Sequence, residues 1–280
     1  MTKQKIAFQG EMGAYSHQAC REVYPDMEPM PCQTFEDAIA AVRNGDAALA
    51  MLPVENSLAG RVPDIHHLLP ESGLYIIAEH FVPVRIDVFG VAGAKLSDIK
   101  EAMSHPVLLG QCRKFLKEHG IKKVIGADTA GSVKAVAEQA DPSRAALAST
   151  LAGEIYGLEA LAHDVQDASH NATRFLVMSP RKIEADPNGG PVMTTFVFQV
   201  RNVPAALYKA MGGFATNGIN MVKLESYMIE GSFTATQFYA DIEGHPEHPN
   251  VQLAMEELGF FTSTVKVLGA YPRSPIRDTR

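Results

Sequence analysis

The chain has 280 residues, 46% hydrophobic and 20% charged, with 25 Lys+Arg against 32 Asp+Glu for a formal charge of −7. That composition is globular and long enough for more than one lobe, and an acidic balance without like-charge runs argues against nucleic acid or a membrane as partner. Cys20, Cys32 and Cys112 show no CxxC spacing, so neither a disulfide framework nor a zinc site is expected; with no signal-like apolar stretch after Met1, a cytoplasmic setting is.

Lys5–Gln9 reads as a short buried strand that runs into Gly10-Glu-Met-Gly-Ala-Tyr15, with Ser16 as N-cap of a helix to about Val23. Glycines between a strand and a helix start suit close approach to an anion. Thr34-Phe-Glu-Asp37 has the form of a capping box, apolar Phe35, Ala38, Ile39 and Val42 share one helical face, and Asn44-Gly45 ends that helix. Ala47–Leu52 is the next strand, breaking at Pro53 into Val54-Glu55-Asn56-Ser57. A carboxylate, an amide and a hydroxyl in succession at a buried strand's end are costly unless they face a polar ligand. The alternative is a capped turn into a helix over Asp64–Leu69, in which His66 and His67 face different directions and make a poor ligand pair.

Leu74–Ala78 and Val84–Val91 read as strands, with Glu79–Pro83 between them. A second cycle follows: Met103-Ser-His-Pro106, a helix over Leu108–His119, a strand over Lys122–Gly126, Asp128-Thr129 capping a helix to about Gln139, a strand over Ala145–Ala148, and Ser149-Thr150 capping a helix to Ile155. The alternation predicts a parallel-type α/β sheet, with Ser104, His105, Asp128, Thr129, Ser149 and Thr150 at strand-to-helix corners, where doubly wound sheets line a ligand crevice. His105 is a candidate acid/base group, and Pro106 after it equally supports a capping or orienting role. Cys112 reads as a buried, inert thiol, and Gln111 beside it can reach the same corner.

Asn171-Ala-Thr-Arg-Phe-Leu-Val-Met178 sets a hydroxyl, Thr173, beside a planar fork of donors, Arg174, then turns apolar, as a strand does when it starts at the floor of a cleft. Ser179–Pro191 collects linker residues. Beyond it come a strand over Val192–Arg201, a helix with Pro204 at its first position and Asn202 or Val203 as cap, a hairpin of Ile219–Met228 and Ser232–Asp241 around Glu230-Gly231, a helix over Val251–Leu258 and a strand over Thr262–Ala270. This β-α-β-β-α-β order is ferredoxin-like. His245 and His248 lie in a proline-kinked loop, and no metal or cofactor is expected.

Taken together, Gly10-Glu-Met-Gly-Ala-Tyr-Ser16, Pro53-Val-Glu-Asn-Ser57, Ser104-His-Pro106 with Gln111-Cys112, Asp128-Thr-Ala130 and Asn171-Ala-Thr-Arg-Phe175 occur in the order found in bacterial-type prephenate dehydratases, which the chain resembles from Lys5 to about Tyr271. The resemblance implies a catalytic domain over residues 1–180 with two α/β lobes similar to a type II periplasmic-binding-protein fold. Lobe one would cover about 1–77 plus the return strand 175–180, and lobe two about 84–172; a linker over 181–191 and an ACT-like regulatory domain over 192–280 would follow. The implied reaction converts prephenate to phenylpyruvate in phenylalanine biosynthesis, with no cofactor. Thr173 falls on the family's essential threonine; Arg174 and Glu55 join it as catalytic candidates, and Ser16, Asn56, Ser57, Ser104, His105, Gln111, Thr129, Asn171 and Phe175 as substrate-binding ones.

On this reading Thr173 contacts the departing hydroxyl, Glu55 or a bound water supplies the proton, and Arg174 with N–H groups near Ser16, Ser104, Thr129 and Thr150 anchors the carboxylates. L-phenylalanine would bind between paired ACT modules of a homodimer or homotetramer, at Asn202, Pro204, Ala205, Ala206, Leu207, Glu225 and Ser226, and inhibit. Ala205 stands where the family usually has Gly, and Tyr227-Met228 where it has Arg-Pro, so the affinity for phenylalanine stays open. Arogenate is an alternative substrate, and a non-catalytic cytoplasmic amino-acid sensor an alternative class. The first strand begins within a few residues of Met1, so no chorismate mutase segment is expected.

Overall fold

The structure, a computed structural model, describes residues 3–201, 203–228 and 235–278. The chain folds as two compact units, Met1–His66 with His80–Phe175, and His67–Glu79 with Leu176–Arg280.

The first unit opens on β1 (Lys5–Gln9), α1 (Tyr15–Val23), β2 (Glu28–Cys32), α2 (Phe35–Asn44) and β3 (Leu49–Asn56), with β1 parallel to both β2 and β3. Ile6, Ala7, Phe8, Ala50, Met51 and Leu52 are all fully buried, the unbroken apolar run of a parallel strand covered on both faces. The capping box of α2 forms: Asp37 N–H donates to Thr34 Oγ1 at 3.1 Å and Thr34 N–H to Asp37 Oδ2 at 3.2 Å. Gly45 then ends the helix at φ +85°, in the left-handed region. Two-residue β4 (Gly60–Arg61) folds back on the end of β3, pairing Glu55 with Arg61 and Asn56 with Gly60. Then come α3 (Pro63–Leu68) and β5 (Tyr75–Pro83), which runs on through Glu79–Pro83, the residues expected to lie between two strands.

The second lobe holds β6 (Asp87–Gly90), β7 (Glu101–Ser104), α4 (Pro106–Gln111), α5 (Arg113–Glu118), β8 (Lys122–Ile125), α6 (Thr129–Gln139), β9 (Arg144–Ala148), α7 (Thr150–Tyr156) and β10 (Glu159–Ala162). Its sheet has the order β10-β6-β9-β7-β8 and is mixed rather than parallel. β7 runs parallel to β8 and β9, whereas β6 runs against both β9 and β10. The single helix expected over residues 108–119 is broken at Cys112. Asp167 explains the break, because its carboxylate accepts Arg113 N–H at 3.2 Å and Lys114 N–H at 3.1 Å and so caps a fresh helix start. β11 (Ala172–Ser179) then returns to the first sheet, whose order is β2-β1-β3-β11-β5.

In the second unit β12 (Val192–Val200), α8 (Ala206–Thr216), β13 (Met221–Met228), β14 (Ala235–Glu243), α9 (Pro249–Phe261) and β15 (Thr262–Pro272) give the sheet order β13-β14-β12-β15, with antiparallel neighbours throughout. Phe196, Phe198, Phe214 and Phe238 fill the space between sheet and helices. The expected hairpin tip at Glu230-Gly231, and Asn202, lie outside the described residues. Residues 67–79 group with this unit rather than with the first lobe, for visible reasons. Lys266 Nζ donates to Pro70 O, and Gly269 approaches so closely that a Cβ there would lie 2.1 Å from Ile76 O. The buried Glu79 carboxylate receives both Arg277 Nε at 2.7 Å and Arg277 Nη2 at 2.8 Å. No group of three His, Cys, Asp or Glu among the described residues could hold a metal, and no helix among them is long and apolar enough to cross a membrane.

α8 starts at Ala206, not at Pro204, and its N-cap Ala205 sits at φ +62°, ψ 19°. A Cβ in that left-handed well costs about 1–2 kcal/mol, partly offset in a glycine variant by the greater freedom of its unfolded chain. Ala205→Gly should therefore raise stability by roughly 0.5–1 kcal/mol, read as a higher midpoint in urea unfolding with unchanged slope.

Candidate active site

The first unit brings the end of β3, the start of β11 and the end of α4 together through side chains. Asn56 is the hub. Its Nδ2 donates to Asn171 Oδ1 at 2.7 Å, to Thr173 Oγ1 at 3.1 Å and to Ala172 O at 3.2 Å, while its Oδ1 accepts Leu58 N–H at 3.0 Å and Ala59 N–H at 2.8 Å. Three acceptors share two N–H bonds, so one hydrogen is bifurcated. Ser57 seals the same junction: its N–H donates to Ala172 O at 2.9 Å, its Oγ accepts Ala172 N–H at 3.0 Å, and its hydroxyl donates to His170 O at 3.1 Å. Asn171, 3% exposed, passes the chain on by donating from Nδ2 to Gln111 Oε1 at 2.9 Å. A cavity of about 370 Å³ opens here, lined by Leu58, Ala59, Gln111, Arg113, Gln166 and Asn171 among others.

Because Asn56 donates to Thr173 Oγ1, the hydroxyl's own hydrogen is left to donate elsewhere. Beside it Arg174 turns inward. It is 2% exposed, and its Nη1 donates to Glu55 Oε1 at 2.8 Å, with the Glu55 side chain 29% exposed. An ionised carboxylate held by a guanidinium only accepts hydrogen bonds. The pair departs from one expectation: Arg174 is buried against Glu55 and is not an open clamp for substrate carboxylates.

Other expected residues lie elsewhere. Ser16 is buried in the first turn of α1 but is not its N-cap, which is Ala14 with no side-chain bond. Ser104, fully buried, donates to Leu147 O at 2.7 Å and ties β7 to β9. Phe175 is core, 1% exposed. His105 caps α4, its Nδ1 accepting Val107 N–H at 3.3 Å. Thr129 is half-buried behind Asp128, whose Oδ1 caps α6 by accepting Gly131 N–H at 2.6 Å. Ser16, Ser104 and Thr129 share no hydrogen bond with the Asn56 cluster and do not line its cavity. A larger crevice of about 540 Å³, with Arg21, Arg85, Ser149, Thr150 and Glu154 in its walls, shares no lining residue with that cavity. We place the candidate site at the smaller cavity because Gln111 and Asn171 in its wall belong to the hydrogen-bond cluster that Asn56 ties to Thr173.

The glycine loop serves a contact between the lobes. Gly13, at φ +95°, lies where a Cβ would be 2.7 Å from Ala152 Cα, and Gly13 O accepts the Ser149 hydroxyl at 2.7 Å. Gly13 N–H donates to His17 Nδ1 at 3.0 Å, and burial holds the His17 pKa below its ordinary value. Burial likewise pushes the Cys20 and Cys112 thiols up to about 12, which makes both poor nucleophiles. Arg113, which supplies a cation to the cavity wall, escaped notice because it follows the recognised Gln111-Cys112 pair and shows no periodic or motif signal.

Strand ends and a helix end from two α/β lobes bring together amides, a hydroxyl and a guanidinium–carboxylate pair, the kind of polar strand-end cluster at which α/β enzymes hold small molecules. The prephenate dehydratase family profile matches residues 6–183. The bifunctional N-acyl-homoserine lactone acylase/prephenate dehydratase of Komagataeibacter europaeus is 52% identical over 97% of this chain and 97% of its own. The arogenate dehydratase/prephenate dehydratase 1 of Arabidopsis thaliana is 35% identical over 99% of this chain and 74% of its own. Among solved structures, prephenate dehydratase from Arthrobacter aurescens in complex with L-Phe superposes with a TM-score of 0.87 at 30% identity, covering 96% of this chain and 90% of its own. The chain belongs to the prephenate dehydratase family and is a lyase of that family.

Gly13→Ala puts a methyl against the Ala152 backbone at a left-handed position, and neither neighbour is a flexible side-chain end. The expected cost is about 2 kcal/mol or more, seen as a drop of roughly 4 °C or more in Tm.

Proposed function

We propose that the chain converts prephenate to phenylpyruvate, carbon dioxide and water, with Thr173 donating a hydrogen bond to the departing hydroxyl. The observation that carries this reading is the Asn56 Nδ2 to Thr173 Oγ1 bond at 3.1 Å, which directs the threonine hydrogen away from the strand junction. In the reaction the ring carboxylate leaves as carbon dioxide, and its bonding electrons enter the ring. The C4–O bond breaks, and hydroxide takes one proton to leave as water; aromatisation drives the step. That chemistry asks for a donor at the leaving oxygen and for a wall that does not stabilise the ground-state carboxylate too well. A half-buried hydroxyl oriented by an amide is such a donor. Glu55 is engaged by Arg174, so on this reading the proton comes from water, and Thr173 supplies the hydrogen bond through which it is delivered. Arg113 and the amides of Gln111 and Asn171 are suited to hold the pyruvyl carboxylate.

The second unit is proposed to be an ACT-type regulatory module that binds L-phenylalanine between copies of the chain, using Pro204–Leu207 at the start of α8 and Glu225-Ser226 on β13. Its βαββαβ order supports this, as does the L-Phe held by the Arthrobacter relative. Relatives named arogenate dehydratases keep arogenate as an alternative substrate, and parallel kinetics on both acids decides between them. The acylase activity named for the Komagataeibacter relative is a second reading at 52% identity, tested by free fatty acid release from an N-acyl-homoserine lactone.

Thr173→Ala should lower kcat for prephenate by about 100-fold or more, and Thr173→Ser should recover part of it; a loss within about threefold for the alanine variant would remove Thr173 from the reaction. Millimolar L-phenylalanine should give binding heat and inhibit turnover; no heat with unchanged kinetics would end the regulatory reading.

A further inference from the structure

The consecutive histidines of α3 stand outside the site described above, yet one of them reaches its frame. Successive residues on a helix project about 100° apart, so His66 and His67 leave α3 on different sides. His66 goes inward. It is 1% exposed, and its Nε2 lies 3.0 Å from Val54 O. A carbonyl can only accept, so Nε2 carries the hydrogen and donates it. The same oxygen accepts Val62 N–H at 2.9 Å. These two bonds close the base of the turn over residues 54–62, whose first residues beyond Val54 are Glu55 and Asn56. Asn56 Oδ1 in turn fixes the tip by accepting Leu58 and Ala59 N–H. The direction in which Glu55 and Asn56, the last residues of β3, project thus depends on the peptide that His66 holds.

His67 goes the other way. Its ring meets Tyr227 edge to face, with centroids 5.5 Å apart and an interplanar angle of 68°. Tyr227 is 5% exposed on β13, and Glu225 and Ser226 immediately precede it on that strand. β13 and the Val54 peptide are therefore joined by one ring contact, one short helix and one hydrogen bond.

We propose that His66 is a positioning residue for Glu55 and Asn56, and that the His66-His67 pair makes α3 a relay through which a shift of β13 on regulator binding reaches the Thr173 site. The relay rests on the reading of β13 as the regulator-binding strand; the positioning role does not. A bulky residue buried only for packing would be replaced equally well by any isostere. A residue that orients the turn needs a donor at the position of Nε2.

The test uses the full-length chain. Without effector, His66→Phe should lower kcat for prephenate about tenfold with KM within about twofold, the scale of a small misalignment of reacting groups, while His66→Gln, which keeps a donor, should stay within about threefold of the parent. Equal losses in the two variants, or a loss carried by KM, overturn the positioning role. His67→Ala, on an exposed side chain, should keep the parent's basal kcat and its calorimetric heat with L-phenylalanine. At equal occupancy its residual activity should be about fivefold higher than the parent's. Equal inhibition at equal occupancy overturns the relay with the regulatory reading intact. Absence of heat from parent and variant alike overturns that reading and the relay with it, and the His66 variants still decide the positioning role.

Discussion

The amide of Asn56 is the point on which the first unit turns. Its nitrogen serves the start of β11 and its oxygen serves the turn after β3, so one planar group fixes two backbones relative to each other. Asn171 and Gln111 extend the network to α4 in the second lobe. Individual hydrogen bonds of this kind add only about 0.5–1.5 kcal/mol net, so their value lies in direction more than in stability. Leaving one of these buried groups without its partner costs more, and that asymmetry keeps the set in a single arrangement.

The Glu55–Arg174 pair obeys a related constraint. A guanidinium that is 2% exposed needs a counter-charge, and Glu55 supplies it from a side chain that keeps 29% of its surface. Charge is thereby set beside the proposed hydroxyl donor without an open cation there. The cationic side chain at the cavity, Arg113, comes instead from the start of α5, a helix that exists because Asp167 caps it. A loop carboxylate some fifty residues away in sequence thus decides which guanidinium faces the cavity.

Local chemistry was readable from the residues; partnership over distance was not. The Thr34 capping box, the caps at Asp128 and Ser149 and the left-handed Gly45 follow from residues within four positions, and each forms as expected. Ser104 shows the opposite case: at a strand-to-helix corner it resembled a ligand group, yet its hydroxyl is taken by Leu147 O, 43 residues away. Arg174 misled for the same reason, since its partner lies 119 residues back. The break at Cys112 and the first cap of α8 at Ala205 were hidden because neither Cys112 nor Ala205 signals its backbone state. The cluster of Asn56, Gln111, Asn171 and Thr173 was legible as a set of polar strand ends, and only the fold could say which of them touch.

Residues 67–79 leave the first unit and come back to it, carrying Leu69, Leu74 and Ile76 buried in the second unit and Glu79 clasped by Arg277. The family profile ends at residue 183, which marks an inviting place to divide the protein. Such a division would separate Ile76 from Gly269 and strand a carboxylate whose guanidinium has gone with the other half. The two units are thus distinct in fold but interlaced in sequence, and a boundary drawn by homology is not one at which the chain comes apart.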